Sequence, residues 1–170
     1  MTDVGAVGAE HRGGLAEAQW ERDGGRRWYL ASSGKFKRPV VTHYYSDPQD
    51  LFDANAYPKG GWILHMLRSQ LGDTLFFKGI KTYVAAHPAG LADSNDLRLA
   101  FEKASGRGLD QFFDQWVFHP GHPELDTAWS PDTTGGPVTL TVRHSSNRHN
   151  GERPIPLPPP VAPLCAQDGN

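Results

Sequence analysis

The sequence predicts a mainly α-helical protein that continues into a β-hairpin and ends in a disordered, proline-rich tail. Three observations lead to this prediction. Between residues 56 and 117, apolar side chains recur at the three- and four-residue spacing of buried helix stripes. Residues 125–142 alternate with period two on both sides of a turn rich in Gly, Thr and Asp. Six prolines fall within residues 154–163, a composition that does not form a packed core.

The chain is predicted to have four parts. Residues 1–12 are small and weakly patterned, which predicts a disordered lead-in. Residues 13–123 form the helical part, residues 124–144 the hairpin, and residues 145–170 the proline-rich tail, predicted to be disordered or polyproline II. With one cysteine, Cys165, the chain has no internal disulfide.

Charge and hydropathy exclude two classes of partner. The formal net charge is −2, which argues against nucleic acid and against an anionic membrane surface. No apolar run approaches the length of a membrane span. The N-terminus has no basic region followed by an apolar one, so no signal peptide is visible. If Met1 is the true start, this predicts a cytoplasmic protein.

The first helix and the loop after it are predicted from composition. Residues 15–31 are rich in helix formers, while Gly24-Gly25 predicts either a break or two short helices. Residues 32–55 are predicted to be a loop. Ser33-Gly34-Lys35 lacks the flanking residues of a phosphate-binding loop. The basic group Lys35, Lys37 and Arg38 is therefore interpreted as part of a solvated loop.

The central helix is predicted to start at Pro58, because proline suits the first helical position. Gly72 is predicted to end it with a positive φ, and its buried stripe consists of Ile63, Leu64, Leu67 and Leu71. Tyr57 would then lie just before the N-terminus, where backbone N–H groups and the positive end of the helix dipole converge. A phenol at that place can donate a hydrogen bond to a developing oxyanion. An ordinary packed tyrosine is the alternative.

Three shorter helices are predicted after the central one. Asp73 caps the first of them, Asp93 or Ser94 the second, and Asp110 lies in the first turn of the third. Short turns join them, so an antiparallel helical array is expected. Its aromatic core consists of Phe76, Phe101, Phe112, Phe113 and Trp116.

The run from Tyr57 to Arg68, Tyr-Pro-Lys-Gly-Gly-Trp-Ile-Leu-His-Met-Leu-Arg, resembles the segment that follows the zinc site in the membrane alanyl aminopeptidase family of gluzincin metallopeptidases. Further matches occur in the same order along about residues 10–143. They include Asp50–Asp53, Asp96-Leu97, Ala104–Gly106, Phe112-Phe113, Trp116 and Pro120–Leu125. The resemblance implies the helical half of a thermolysin-like catalytic domain, with the hairpin as the start of a truncated β domain.

The resemblance also implies a function, a zinc-dependent metallo-aminopeptidase that removes N-terminal residues from a peptide substrate. It assigns Tyr57 the role of the phenol that stabilises the oxyanion. Gly60 and Gly61 remove side-chain bulk from the first turn of the helix, which allows close approach either of a neighbouring helix or of substrate, and both are predicted to lie on the substrate cleft. In the family, zinc is held by a His-Glu-x-x-His motif and a later Glu. None of the eight histidines here is followed by Glu, and the third ligand would fall upstream of Met1. This predicts a fragment without metal ligands, inactive alone, whose partner is the missing N-terminal half.

A second hypothesis stays open, in which the chain is a non-catalytic helical interaction module that uses its proline-rich tail as a ligand. Lys59, near a helix N-terminus, predicts either a partner carboxylate or a solvated side chain. His119 and His122 flank Pro-Gly and are interpreted as parts of a structural turn rather than as metal ligands. His65 is interpreted as a hydrogen-bonded packing residue.

Overall fold

The computed structural model describes residues 2–34, 37–130 and 138–144, with side chains described from residue 14 to residue 143 within those ranges. The chain divides into two units, residues 1–121 and residues 122–170. The first unit is helical, and the described part of the second is a β-hairpin. A mainly helical fold followed by a hairpin is therefore confirmed.

Helix α1 (Thr2–Ser33) includes residues 2–12, for which the sequence predicts disorder. It is kinked at Gly14, where φ is 79° and ψ is −170°, and not at Gly24-Gly25. Gly25 serves packing instead, whereas an added Cβ at Gly24 would meet no atom within 4 Å. A Cβ added at Gly25 would lie 3.4 Å from the Cβ of Pro58, so the glycine lets α1 approach the start of the central helix closely.

The segment after α1 leads into the central helix through two short turns. A 3₁₀ turn (Pro48–Leu51) is capped by Asp47 in a capping box with Asp50. A π-helical turn (Asn55–Lys59) follows and runs directly into α2 (Gly60–Leu71). Gly72 ends α2 with a φ of 77°, as predicted, and its N–H donates to the carbonyl of Arg68 at 2.8 Å.

Three helices complete the first unit: α3 (Asp73–Ala86), α4 (Ser94–Ser105) and α5 (Asp110–Phe113), with a π-helical turn (Asp114–Phe118) after α5. Asp93 caps α4, and Gly106 ends it in the left-handed region. Asp73 does not cap α3, contrary to the prediction. Its carboxylate instead accepts hydrogen bonds from Arg68 Nε at 2.7 Å and Nη2 at 3.0 Å.

The core lies between α2, α3, α4 and the segment after α5. Phe101 is fully buried, and its ring lies 5.3 Å from that of Phe76. Gly79 on α3 faces Phe101 so closely that an added Cβ would lie 2.3 Å from its Cδ1. Each buried apolar side chain contributes about 1.5–3 kcal/mol. The cluster comprises Ile63, Leu67, Leu71, Phe76, Phe101, Leu109, Phe113 and Val117.

In the second unit, strands β1 (Leu125–Ser130) and β2 (Thr139–His144) pair antiparallel, with Leu125 opposite His144 and Ser130 opposite Thr139. The described side chains of both strands are exposed, and two strands alone are marginally stable in water. The predicted turn (residues 131–137) and the predicted tail (residues 145–170) lie outside the described residues. Within the described part, the helices lack the combination of length and apolar character that crossing a membrane needs.

Candidate active site

Tyr57 lies inside the π-helical turn and not just before the helix, so its predicted position is wrong by one turn. The helical backbone begins at Asn55. The Tyr57 N–H donates to the carbonyl of Asp53 at 3.1 Å, and the Lys59 N–H donates to that of Ala54, five residues back, at 3.1 Å. Pro58 therefore lies within the turn rather than at its first position, and its side chain is fully buried.

Asp53 is the residue that starts this turn. Its Oδ1 accepts hydrogen bonds from the backbone N–H groups of Asn55 and Ala56, both at 2.9 Å. Its carbonyl takes the N–H of Tyr57. The N–H groups that were expected to converge in front of the helix are therefore already bonded.

Arg38 holds Asp53 from the preceding loop. Its Nε donates to Oδ2 at 3.0 Å and its Nη2 to Oδ1 at 2.7 Å, a two-point pairing that fixes the carboxylate plane. The remaining guanidinium donors are taken by the carbonyls of Pro39, Val40 and Leu51, at 2.8, 3.0 and 3.2 Å. The predicted solvated loop is therefore wrong for Arg38, which is 6% exposed. Lys37 is exposed, and Lys35 lies outside the described residues.

Asp53 and Lys59, at the two ends of the turn, carry opposite charges and have shifted pKa values. Burial alone would raise the pKa of Asp53, but hydrogen bonds from Asn55, the Ala56 N–H and Arg38 outweigh it and hold that pKa below its usual range. Burial, reinforced by the positive charge of Arg38, lowers the pKa of Lys59 to about 8. Asp53 is thus firmly anionic near pH 7, while Lys59 carries its proton at a cost.

Lys59 reaches across the fold to a main-chain acceptor. Its Nζ donates to the carbonyl of His119 at 3.1 Å, and the residue is 5% exposed. Both predicted alternatives, a partner carboxylate and a solvated lysine, are wrong. The ammonium binds a carbonyl 60 residues further along the chain, which ties the end of the Tyr57 turn to the segment after α5.

The exposure of Tyr57 and of its neighbours describes the entrance of the central helix. Tyr57 is partly exposed, and its ring lies 6.0 Å from the ring of Phe52, which is 63% exposed. A Cβ added at Gly60 would meet no atom within 4 Å, so no neighbouring helix requires that glycine. Gly60 and Gly61 are the first residues of α2, directly after the turn, and both are partly exposed.

The residues that the structure describes do not fit a zinc site. No three His, Cys, Asp or Glu side chains come together among them in a way that could hold a metal ion. His119 Nδ1 donates to the carbonyl of Asp114 at 2.7 Å, in keeping with a structural turn. His65 packs edge-on against Trp62, with the ring centroids 5.5 Å apart. Cys165 and His149 lie outside the described residues.

Sequence reasoning missed Arg38 and Asp53. A local signal existed for Asp53, because an aspartate at the start of a helix typically accepts hydrogen bonds from the N–H groups two and three residues later, here those of Asn55 and Ala56. Nothing near Arg38 in sequence indicates its partner, because the pairing spans fifteen residues.

Comparison with known proteins supports the peptidase resemblance that the Tyr57 segment carries. The model of the "Peptidase family M1 domain" matches residues 26–116, more than half of the chain. The chain therefore belongs to the M1 peptidase family. The matched region contains α1 from Arg26 onward, the Tyr57 turn and the helices up to Trp116.

Several of the similar proteins carry aminopeptidase names. The chain is 40% identical to aminopeptidase N of Lactococcus lactis over 84 residues, which are 49% of this chain and 10% of the relative. It is 33% identical to tricorn protease-interacting factor F2 of Thermoplasma acidophilum over 117 residues, 65% of this chain and 14% of the relative. With aminopeptidase M1 of Arabidopsis thaliana it shares 31% over 84 residues, 49% and 10% of the two chains. The chain thus spans 10–14% of the length of these relatives.

Proposed function

We propose that this chain supplies the helical part of a metallo-aminopeptidase site, with Tyr57 as the phenol that donates a hydrogen bond to the oxyanion of the scissile peptide. The observation that supports this proposal is the partial exposure of Tyr57 on a π-helical turn whose first N–H groups are already bonded to Asp53. A preorganised donor of this kind is worth about 10²- to 10³-fold in rate. The substrate class is a peptide with a free N-terminus.

Gly60 and Gly61 are proposed to border the substrate cleft. Gly60 has open space where a side chain would project, and it follows the Tyr57 turn directly. We propose that this open space is part of the cleft, which a side chain at Gly60 would fill. The glycines would thus keep that volume free for substrate rather than for helix packing.

Zinc has no ligand set among the described residues, and the sequence has no His-Glu-x-x-His. We therefore propose that the chain alone does not hydrolyse peptides, and that its partner is a polypeptide segment carrying the metal ligands. In this arrangement the present chain contributes the phenol and the cleft border, and the metal-binding segment contributes the remainder.

The first test is made on the purified chain. Metal analysis after incubation with zinc should give no stoichiometric metal, and aminoacyl p-nitroanilides should not be cleaved. Zinc-dependent cleavage by this chain alone would overturn the proposal. The second test reads the genomic sequence upstream of codon 1 for His-Glu-x-x-His followed by Asn-Glu. Where that sequence is present, the joined protein should be active, and Tyr57→Phe should lower its kcat by about 10²- to 10³-fold.

A non-catalytic interaction module is the second candidate. It is favoured by exposed apolar side chains on α1, where Leu15 is 71% and Trp20 is 70% exposed. This candidate would be favoured over the peptidase by two results together: an unrelated upstream sequence, and binding of the chain to a domain that recognises proline-rich peptides.

A further inference from the structure

Both ends of the Tyr57 turn are fixed by side chains that reach to or from remote segments. At its start, Asp53 bonds the N–H groups of Asn55 and Ala56, and Arg38 bonds Asp53 at two points. At its end, Lys59 bonds the His119 carbonyl at 3.1 Å. Tyr57 lies between these two anchors.

The two remote segments are themselves joined. The Val41 N–H donates to the carbonyl of Val117 at 3.3 Å. This bond lies three residues after Arg38 and two residues before His119, so it links the loop that holds one anchor to the segment that holds the other. Each of the three segments is therefore bonded to the other two: the loop that holds Arg38, the Tyr57 turn, and the segment after α5.

Burial makes these contacts costly to rearrange. The side chain of Arg38 is 8% exposed and that of Asp53 is 22% exposed, while Lys59 is 5% exposed as a residue. A buried guanidinium or ammonium that loses its partner leaves an uncompensated charge. Asp53 in turn makes two N–H bonds that fix the backbone immediately before Tyr57.

We propose that Arg38, Asp53 and Lys59, called here the Tyr57 clamp, are positioning residues that fix the orientation of the Tyr57 phenol. They touch neither substrate nor the reacting atoms and act through the backbone of the turn. This inference rests on the proposed function of Tyr57, because a hydrogen-bond donor stabilises an oxyanion effectively only when its position is fixed before the reaction.

The test is amide hydrogen exchange by NMR on the full chain. Asp53→Asn and Arg38→Lys should speed exchange of the Tyr57 N–H by about tenfold or more relative to the Phe101 N–H in α4, because the broken contacts are charge-assisted hydrogen bonds. The Phe101 amide reports global opening, so a merely structural role would speed exchange at both sites equally. Equal changes, or an unchanged Tyr57 amide, would refute the clamp.

Lys59→Met is the second variant, in case loss of the Arg38 pairing prevents folding. It replaces a buried ammonium by an apolar side chain of similar length and should also speed Tyr57 exchange selectively. A 3-fluorotyrosine label at Tyr57 should show a shifted or broadened ¹⁹F resonance in the same variants. A resonance that stays unchanged in all of them would contradict the proposal.

Asp73→Asn is the matched control. Asp73 also pairs with an arginine at two points, Arg68 Nε at 2.7 Å and Nη2 at 3.0 Å, but has no bond to the Tyr57 turn. The Asp73→Asn variant should leave the exchange rate of the Tyr57 N–H unchanged. Full activity of Tyr57→Phe in a zinc-bearing assembly would refute the proposed function while leaving the exchange result standing, so the two failures are distinguishable.

Discussion

Arg38 and Asp53 are joined at two points, Nε to Oδ2 at 3.0 Å and Nη2 to Oδ1 at 2.7 Å, across fifteen residues of chain. Arg68 and Asp73 are joined in the same way, and the two arginine side chains are similarly buried, but the Asp73 side chain is 66% exposed against 22% for Asp53. The geometry is alike and the burial differs. Comparison of the two pairs therefore separates the contribution of burial from that of hydrogen-bond geometry.

Arg38→Met should lower the free energy of unfolding by about 3 kcal/mol or more. The substitution removes the guanidinium donors of the Asp53 carboxylate and of three backbone carbonyls. Urea denaturation monitored by circular dichroism measures this change. Asp73→Asn should cause a small shift, since water takes over the exposed carboxylate's hydrogen bonds. Equal shifts in the two denaturation midpoints would show that burial of the Arg38–Asp53 pair contributes nothing.

The helices of this fold are predictable where their signals are local. Asp93 as a cap, Asp96 three residues later and Gly106 at the end are all readable from sequence, and the structure has this capping box and this left-handed glycine. The apolar stripe of α2 is also largely readable, since Ile63, Leu67 and Leu71 are buried and Leu64 is partly buried against the same core.

The candidate site is less predictable because its contacts are remote. Pro58 suggests a helix start, yet Asp53 begins the helical backbone earlier and turns the first residues into a π-helical turn. The acceptor of Lys59 is a carbonyl 60 residues away, which no local pattern encodes. The glycine pair at residues 24 and 25 predicts a break, whereas Gly25 serves close packing on Pro58.

Gly79→Ala should destabilise the protein by about 1–3 kcal/mol, because the new Cβ would lie 2.3 Å from Phe101 Cδ1 and the ring must move within a full core. Gly60→Ala is the matched substitution. Gly60 has helical φ and ψ of −57° and −44° and open space around it, so alanine should leave stability unchanged or raise it by up to about 1 kcal/mol. Thermal unfolding of both variants measures the difference. A more severe loss at Gly60 would contradict the packing described here.

The first unit should self-associate at micromolar or higher concentration through the exposed apolar side chains of α1. Leu15 and Trp20 are 71% and 70% exposed, and Trp28 is 50% exposed. Light scattering after size exclusion should give an average mass above 18.7 kDa, and the double variant Leu15→Lys, Trp28→Lys should lower it toward the monomer. Val84→Lys, at a 61% exposed position on α3, is the control and should have no such effect. A monodisperse monomer before substitution would refute the prediction.

Stability should rise with pH above about 8 because of Lys59. Burial and the charge of Arg38 lower the pKa of Lys59 from 10.5 to about 8, so between these values the unfolded chain binds a proton that the folded chain does not. The free energy of unfolding then increases with pH, by about 1–3 kcal/mol over the window. Burial raises the pKa of Tyr29 from 10.0 to about 12, and this contribution is lost as pH rises through that range. Measurement should therefore stay between pH 7 and pH 10.

Lys59→Met isolates the lysine contribution, since every other titrating group is shared with the unsubstituted chain. Removal of a buried ammonium should make the variant the more stable of the two at pH 7, provided that the His119 carbonyl finds water as a donor. The difference in unfolding free energy should shrink as pH rises to 10, because the unsubstituted chain then loses its buried charge. Urea midpoints at pH 7, 8, 9 and 10 give the comparison. A difference that stays constant over this range would mean that Lys59 keeps an ordinary pKa, and hence that its ammonium is solvated.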